Sequence, residues 1–341
     1  MKRKLFLVLM IIAVAVAFTT LSFQKAQAAP IKLTYSCFFP PTHIQSKLAE
    51  AWSKEVAKRT NGRVKVEYYP GGTLTKAKQC YDGAVTGISD LGFSVLAYTG
   101  SRFPVMSAID LPFGYPNGKV ATAVINEVYK KFMPKELLDS KVMYLHAHGP
   151  GLIHTRDKMV TKLEDLKGLK LRGHGTSAKF QKALGATPVG APMPECYQMI
   201  QKGVVKGASY PFEANKGWRL GEVSDYAVAA FSAAYTTSFF VVMNKDKWNS
   251  LPADIQKIIE EINGEWVIKH GEAWDASDME GIYYFLNHGG VIIGLDKKEA
   301  ARWKKAVRPV IDDYIQAMNK KGFNGKEIVD FTMKTLAKYS K

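Results

Sequence analysis

The chain has 341 residues, of which 47% are hydrophobic and 23% are charged. This length corresponds to about two domains, and this balance excludes disordered, collagen-like and coiled-coil chains. The formal net charge of +16 would suit a nucleic-acid partner. The basic residues are scattered singly, however, without interleaved aromatic residues, so we expect no nucleic acid to bind.

The first segment has the pattern of an export signal. Basic residues 2–4 precede an uncharged stretch over residues 5–18, and the small residues Ala26 and Ala28 follow. The apolar run is shorter than the roughly 20 residues of a membrane-spanning helix. The pattern predicts that residues 1–28 are a secretory signal peptide and that the mature protein is soluble in the periplasm.

Strands and helices alternate along the next segment, with short glycine-containing turns between them. Alternating or β-branched residues predict strands at 31–36, 64–69 and 87–93, and apolar residues at helical spacing predict helices at 42–60 and 76–85. This rhythm is typical of a parallel sheet covered by helices.

The rhythm begins again after residue 140. The sequence predicts strands at 142–148, 167–172, 207–211 and 239–244, helices at 176–184 and 194–201, a long helix at 252–285 and a last helix at 298–320. Because the late strand at 239–244 returns to the first unit, two α/β units joined by more than one crossing are the simplest arrangement.

Histidines are the main catalytic candidates. His146 and His148 occupy one face of a predicted strand, and His154 and His174 follow nearby. An exported zinc hydrolase using His146, His148 and His154 is therefore one hypothesis. No HExxH helix, carboxylate partner, G-x-S-x-G elbow or phosphate-binding loop accompanies them. We expect structural or cleft-lining histidines, no metal, no cofactor and no enzyme activity.

Arg172 is the strongest binding candidate. A turn and a glycine precede the strand at 167–172, which delivers Arg172 to its carboxyl end. In open α/β sheets ligands bind at that edge. A guanidinium can hold a carboxylate through two parallel hydrogen bonds, so we expect Arg172 to bind an acid. A surface salt bridge is the alternative.

Several blocks, in order, resemble the solute-binding subunits of tripartite ATP-independent periplasmic (TRAP) transporters of the DctP type. The similar blocks are residues 69–74, 110–113, 163–172, 185–188, 194–197, 201–207 and 244–252. The likeness extends over nearly all of residues 30–340.

The resemblance implies an α/β, two-lobed periplasmic binding protein fold. Two mixed sheets flanked by helices would form the lobes, and the long helix would span both. The first lobe is expected to comprise residues 29–149 and 238–277. The second is expected to comprise residues 150–237 and 278–341.

The resemblance also implies the site. Arg172 matches the carboxylate clamp of the family. The first lobe is expected to contribute Phe38, Phe39, Phe93 and Ser94 to the interlobe cleft, and the second lobe to contribute Met193 and Tyr210. Glu213 is a further candidate, because its carboxylate could meet an amino group of the ligand.

Departures from the family pattern indicate the ligand. Tyr210 replaces an asparagine common in the family, Phe38 and Phe39 replace a polar pair of sialic-acid binders, and Leu152 replaces their second arginine. Aromatic rings remove hydrogen-bond partners and add flat apolar area. We expect a monocarboxylate with an aromatic body, such as an aryl 2-oxo acid or an arylacetate. A small acid, with the rings in the core, and an amino acid bound through Glu213 stay open.

The resemblance further implies how the protein acts. It would close as a monomer on a small organic acid and deliver it to the membrane subunits of a TRAP permease. An extracytoplasmic sensor subunit would share this fold and pocket, so that function stays as an alternative.

Overall fold

The computed structural model describes residues 29–341, which form two mixed β-sheets with helices on their faces. The expected α/β architecture is confirmed. The predicted signal peptide, residues 1–28, lies outside the described residues. Within 29–341, no helix combines the length and apolar character needed to cross a bilayer.

The strands lie close to their predicted positions where the sequence pattern was regular. They are β1 (Ile31–Cys37), β2 (Val64–Tyr69), β3 (Leu91–Val95), β4 (Ser140–Ala147), β5 (Leu152–Thr155), β6 (Lys170–Gly173), β7 (Thr187–Gly190), β8 (Gly207–Tyr210), β9 (Tyr226–Val228), β10 (Ser238–Asn244) and β11 (Val291–Ile293).

The helices connect these strands and cover the sheets. They are α1 (Ile44–Arg59), α2 (Cys80–Val85), α3 (Gly118–Phe132), α4 (Gly175–Ala183), α5 (Met193–Gln201), α6 (Ala214–Gly217), α7 (Lys245–Asn249), α8 (Ala253–Asn287), α9 (Lys297–Lys320) and α10 (Gly325–Tyr339).

The first lobe is built on a five-stranded sheet with the order β2-β1-β3-β10-β4. Strand β1 runs parallel to β2 and β3, whereas β10 runs antiparallel to β3 and β4. The carboxyl ends of β1, β3 and β4 therefore meet the beginning of β10 at one edge. Residues 38–39, 95–98, 148 and 237–239 lie along that edge.

The second lobe is built on a six-stranded sheet with the order β11-β9-β5-β8-β6-β7. Strands β6, β7 and β8 are parallel, and β5 runs antiparallel to β8 and β9. The carboxyl ends of the three parallel strands bring Arg172, Met193 and Tyr210 to the edge that faces the first lobe.

Helix α8 spans both lobes, as the resemblance implies. In its first part, Asn263 accepts a hydrogen bond from the indole of Trp52 at 2.9 Å. Near its end, Tyr284 donates one to Glu222 of the second lobe at 2.6 Å. Pro252 precedes the helix and Asp254 lies in its first turn, which suits the start of a helix.

The last helix does not lie in the lobe to which it was expected to belong. Residues 278–341 were all assigned to the second lobe, but α10 packs on α3 of the first, with Phe132 and Phe331 in an edge-to-face pair at 5.6 Å. Leu336 joins the core of the first lobe. Helix α9 carries the chain from the second lobe back to the first, so the apolar stripe of α10 is buried against the first lobe. Trp303 of α9 lies in the core of the second lobe, and the hydroxyl of Tyr314, later in α9, donates to the Pro104 carbonyl of the first.

Candidate functional site

The facing edges of the two sheets enclose a cavity. It contains about 340 Å³ of atom-free space, including the part that opens to solvent. The first lobe contributes Phe38, Phe39, Tyr98, His148, Thr237 and Phe239, and the second contributes Arg172, His174, Met193, Tyr210, Glu213 and Trp218.

Arg172 is fully buried in the wall of this cavity. Its Nε donates to the carbonyl of Ala191 at 2.9 Å, and its Nη1 lies 4.0 Å from the sulfur of Met193. Within residues 29–341 no carboxylate lies within ion-pair distance of its guanidinium. A buried cation without a counterion is costly, so the cavity is suited to an anionic group.

The position of Arg172 is set by its own strand and by one glutamine. The Nε2 atom of Gln181 donates to the Arg172 carbonyl at 2.7 Å and to the Ser209 hydroxyl at 2.8 Å. Gly173 makes room for this amide, because a Cβ there would lie 2.7 Å from Gln181 Oε1. The second lobe therefore holds the guanidinium on a rigid base.

Aromatic rings form the apolar part of the cavity. Phe38 stacks on Trp218 across the cleft at 5.8 Å with an interplanar angle of 25°, and on Phe239 at 6.5 Å with an angle of 12°. Phe39 lies 4.2 Å from Phe38 and 5.7 Å from Trp218. These rings give the cavity flat, apolar walls.

Polar contacts also join the two lobes around the cavity. The Tyr98 hydroxyl accepts a hydrogen bond from the backbone N–H of Met193 at 2.9 Å. His43 Nδ1 accepts from the backbone N–H of Gln45, so its proton is on Nε2, which donates to Glu213 at 2.9 Å. These contacts describe a closed arrangement of the lobes.

Six of the eight residues expected at the site line the cavity: Phe38, Phe39, Arg172, Met193, Tyr210 and Glu213. The Tyr210 hydroxyl is turned into the second lobe, where it lies 2.9 Å from that of Ser224. The carboxylate of Glu213 already has His43 as its partner.

Phe93 and Ser94 are not on the cavity wall, in contrast to the expectation for both. The ring of Phe93 lies behind Phe39 at 5.2 Å, and the Ser94 hydroxyl donates to the Ala77 carbonyl at 2.7 Å. Both residues precede the end of β3, so they belong to the buried sheet. In the segment around the end of β3, residues 91–99, the cavity is lined by Val95 and Tyr98.

Sequence reasoning missed Tyr98, Trp218 and Phe239 as cavity residues. Tyr98 lies in a short 3₁₀ turn after β3, and Trp218 follows a four-residue helix, so neither has a periodic pattern around it. His148 and His174, which the sequence analysis expected to be structural or cleft-lining histidines, line the cavity.

The three histidines of the metal hypothesis do not meet. His146 Nδ1 accepts from the indole of Trp274 at 2.9 Å, and His148 Nδ1 donates to the Gly149 carbonyl at 2.6 Å. His154 lies in the other sheet, stacked on Tyr210 at 3.9 Å. Burial lowers the pKa of His148 to about 4 and that of His154 to about 3. Residues 29–341 contain no group of three potential metal ligands.

Comparison with known families and structures agrees with this geometry. The model of the family described as DctP, bacterial extracellular solute-binding protein, family 7, matches residues 35–317. The C4-dicarboxylate-binding periplasmic protein DctP of Rhodobacter capsulatus is 26% identical over 294 residues, which cover 84% of this chain and 87% of that protein.

Two solved structures of similar proteins contain aromatic acids. A TRAP solute-binding protein from Rhodoferax ferrireducens T118 with copurified benzoate is 30% identical; the match covers 91% of this chain and 98% of that one, with a TM-score of 0.86. A marine metagenome TRAP solute-binding protein specific for aromatic acid ligands, in complex with metahydroxyphenylacetate, is 31% identical; the match covers 91% and 100%, with a TM-score of 0.87.

Proposed function

The chain belongs to the DctP family of bacterial extracellular solute-binding proteins, family 7, and we propose that it captures an aromatic monocarboxylate between its lobes. It is a TRAP-type solute-binding protein and not an enzyme. One observation carries the proposal: Arg172 presents a buried guanidinium, without a carboxylate partner in residues 29–341, to a cavity walled by aromatic rings. A ligand carboxylate would supply the missing counterion.

The aromatic body of the ligand is supported by the rings opposite and beside the guanidinium. Phe38, Phe39, Trp218 and Phe239 offer flat apolar area and no hydrogen-bond acceptors. A sugar acid would leave its hydroxyls unpaired against them, at about 1–3 kcal/mol each. The benzoate and metahydroxyphenylacetate bound by the two similar proteins support the same ligand class.

Capture would couple ligand binding to closure of the lobes. The ligand enters when the contacts of Tyr98 with Met193 and of His43 with Glu213 are open. With the carboxylate on Arg172, the rings of the first lobe cover the ligand and these contacts form. The ligand shifts the equilibrium because it binds the closed form more tightly than the open form. The two strand connections between the sheets, at 148–151 and 229–237, would act as the hinge together with α8.

The closed complex would then deliver the acid to the membrane subunits of a TRAP permease. The protein would work in the periplasm as a monomer, after removal of residues 1–28. This part of the proposal rests on family membership.

The proposal is tested by a thermal-shift screen of the purified mature protein, followed by calorimetry. The panel contains benzoate, phenylacetate and phenylpyruvate, with acetate, pyruvate and succinate as aliphatic acids and glucuronate as a sugar acid. A ligand at one hundred times its Kd stabilises the native state by about 2.7 kcal/mol. We expect the aromatic acids to raise the melting temperature most. A panel in which only aliphatic or sugar acids do so would contradict the proposed ligand class.

A further inference from the structure

His148 has one ring nitrogen without a partner in residues 29–341. Its Nδ1 lies 2.6 Å from the Gly149 carbonyl oxygen, so Nδ1 carries the proton and donates it. Burial lowers the pKa of His148 to about 4, so the ring is neutral near pH 7. Its Nε2 is therefore a hydrogen-bond acceptor on a side chain that lines the cavity.

Thr237 lies beside His148 on the same wall. The pairing of β4 with β10 ends at Ala147 and Ser238, and extending its antiparallel register by one residue sets His148 opposite Thr237. Side chains of directly opposed residues lie on one face of a sheet, about 5 Å apart at Cβ. The neighbouring Thr236 hydroxyl donates to the His148 carbonyl at 2.6 Å and holds the two segments together.

The hydroxyl of Thr237 makes no hydrogen bond within residues 29–341, although only 3% of the residue is exposed. It lines the same cavity. His148 and Thr237 thus form a small polar patch, with one obligate acceptor and one group that can donate. The ring of Phe239, which lies 6.1 Å from that of His148, offers the patch no hydrogen-bond partner.

We propose that His148 and Thr237 recognise a hydroxyl group, so that the ligand is a hydroxylated aromatic acid. The ligand hydroxyl donates to His148 Nε2 and accepts from the Thr237 hydroxyl, while Arg172 holds the carboxylate. This inference rests on the proposed function, because it names the substrate class of the same site. An acid without the hydroxyl would desolvate both groups of the patch without replacing their hydrogen bonds.

The test compares matched acids by calorimetry on the mature protein. Phenylacetate is compared with mandelate and with the three ring-hydroxylated phenylacetates, and benzoate with the three hydroxybenzoates. We expect at least one hydroxylated acid to bind about tenfold or more tightly than its parent. Phenylglycine is included because an ammonium group would also donate to Nε2.

Two variants assign the preference to the patch. In His148→Phe, which removes the acceptor, the affinity ratio between the best hydroxylated acid and its parent falls to about one. In Thr237→Val, which keeps the side-chain shape, the ratio falls by severalfold; this variant also carries the test if His148→Phe does not fold. Thr86→Val makes the same change on the surface and leaves the ratio unaltered.

Each remaining outcome overturns the inference. Equal binding of parent and hydroxylated acids by the unaltered protein would do so, as would a preference that persists in both variants. Tighter binding of phenylglycine than of mandelate would assign the patch to an amine. If no aromatic acid binds, the proposed function itself fails, which is distinguishable from aromatic acids that bind without a hydroxyl preference.

Discussion

Arg172 and Tyr98 meet across the cleft, where Nη2 of the guanidinium lies 3.4 Å from the phenol oxygen. Burial raises the pKa of Tyr98, despite the opposing effect of Arg172, so the phenol is neutral at physiological pH. The charge of Arg172 therefore meets a dipole from the opposite lobe and not a counterion. A bound carboxylate at this point would contact both lobes at once.

Arg172→Lys is expected to weaken the binding of an aromatic acid by about tenfold to a hundredfold. A lysine keeps the charge but replaces the planar guanidinium by a compact ammonium group, which cannot form two parallel hydrogen bonds to a carboxylate. A hydrogen bond to a charged group contributes about 1.5–3 kcal/mol. Calorimetry measures the change in Kd. Arg308→Lys, at an exposed i,i+4 pair with Asp312, is the matched control. Equal affinity of the two variants would remove Arg172 from the site.

Tyr98→Phe is expected to weaken ligand binding by about threefold to tenfold, mainly through faster dissociation. The change removes the hydroxyl that accepts from Met193 and Arg172, and a neutral hydrogen bond contributes about 0.5–1.5 kcal/mol. Because these contacts join the lobes, their loss favours the open form. Stopped-flow displacement measures the dissociation rate, and scattering measures the ligand-free radius of gyration. Tyr283→Phe on the surface of α8 serves as the control, and identical dissociation rates would show that Tyr98 does not hold the lobes closed.

Gly281→Ala is expected to destabilise the protein by more than 1 kcal/mol and to weaken ligand binding. A Cβ at Gly281 would lie 2.0 Å from the carbonyl oxygen of Phe212 and 2.8 Å from the Cα of Glu213, so α8 or the cavity wall must move. Overpacking of this kind produces large losses of stability.

The same helix contains its control. A Cβ at Gly264 would have no neighbouring atom within 4 Å, and Gly264→Ala should stabilise the protein by about 0.5–1 kcal/mol through helix propensity. Chemical denaturation measures both variants. If Gly281→Ala is also stabilising, the helix does not approach the second lobe as closely as described.

Asp110 gives the fold a pH dependence of predictable sign. Burial raises its pKa from 3.8 to about 7, although the N–H and hydroxyl of Ser238 donate to it. The native state therefore binds more protons than the unfolded state between about pH 4 and pH 7, so this group's contribution to the free energy of unfolding falls as the pH rises through that range.

Asp110→Asn removes this contribution and keeps an oxygen acceptor for Ser238. The variant is expected to gain stability relative to the unaltered protein as the pH is raised from about 4 to about 8, by an amount on the order of 3 kcal/mol. The buried histidines oppose this trend, but they are present in both proteins and cancel in the difference. Urea titrations across the range measure it, with the exposed Asp312→Asn as the control. A difference that does not vary with pH would show that Asp110 titrates normally.

Regular elements and the position of the clamp could be predicted from the sequence. The strand over residues 64–69 has its predicted bounds, and the helix predicted at 194–201 begins one residue earlier. Both depend on local periodicity and on local start signals. Arg172 was predicted at a strand end because a turn, a glycine and a strand follow one another within ten residues.

Some short strands were not predicted, although β6 and β8, with four residues each, were. Strands β5, β7 and β9 have three or four residues and no clear alternating pattern, and they form because neighbouring strands supply hydrogen bonds. Helix α3 also went unpredicted, although its moderate apolar stripe and its Asn117 cap are present in the sequence.

The sequence by itself determined the α/β class, the long helix, and a guanidinium at the end of a strand with aromatic residues after another. These features depend on contacts between residues close together in the chain. Only the tertiary structure decided that Tyr98, His148 and Trp218 surround Arg172, that Phe93 and Ser94 stay behind the wall, and that the last helix returns to the first lobe. Those contacts join residues far apart in the chain, and they depend on how two sheet edges are packed together, which no local pattern records.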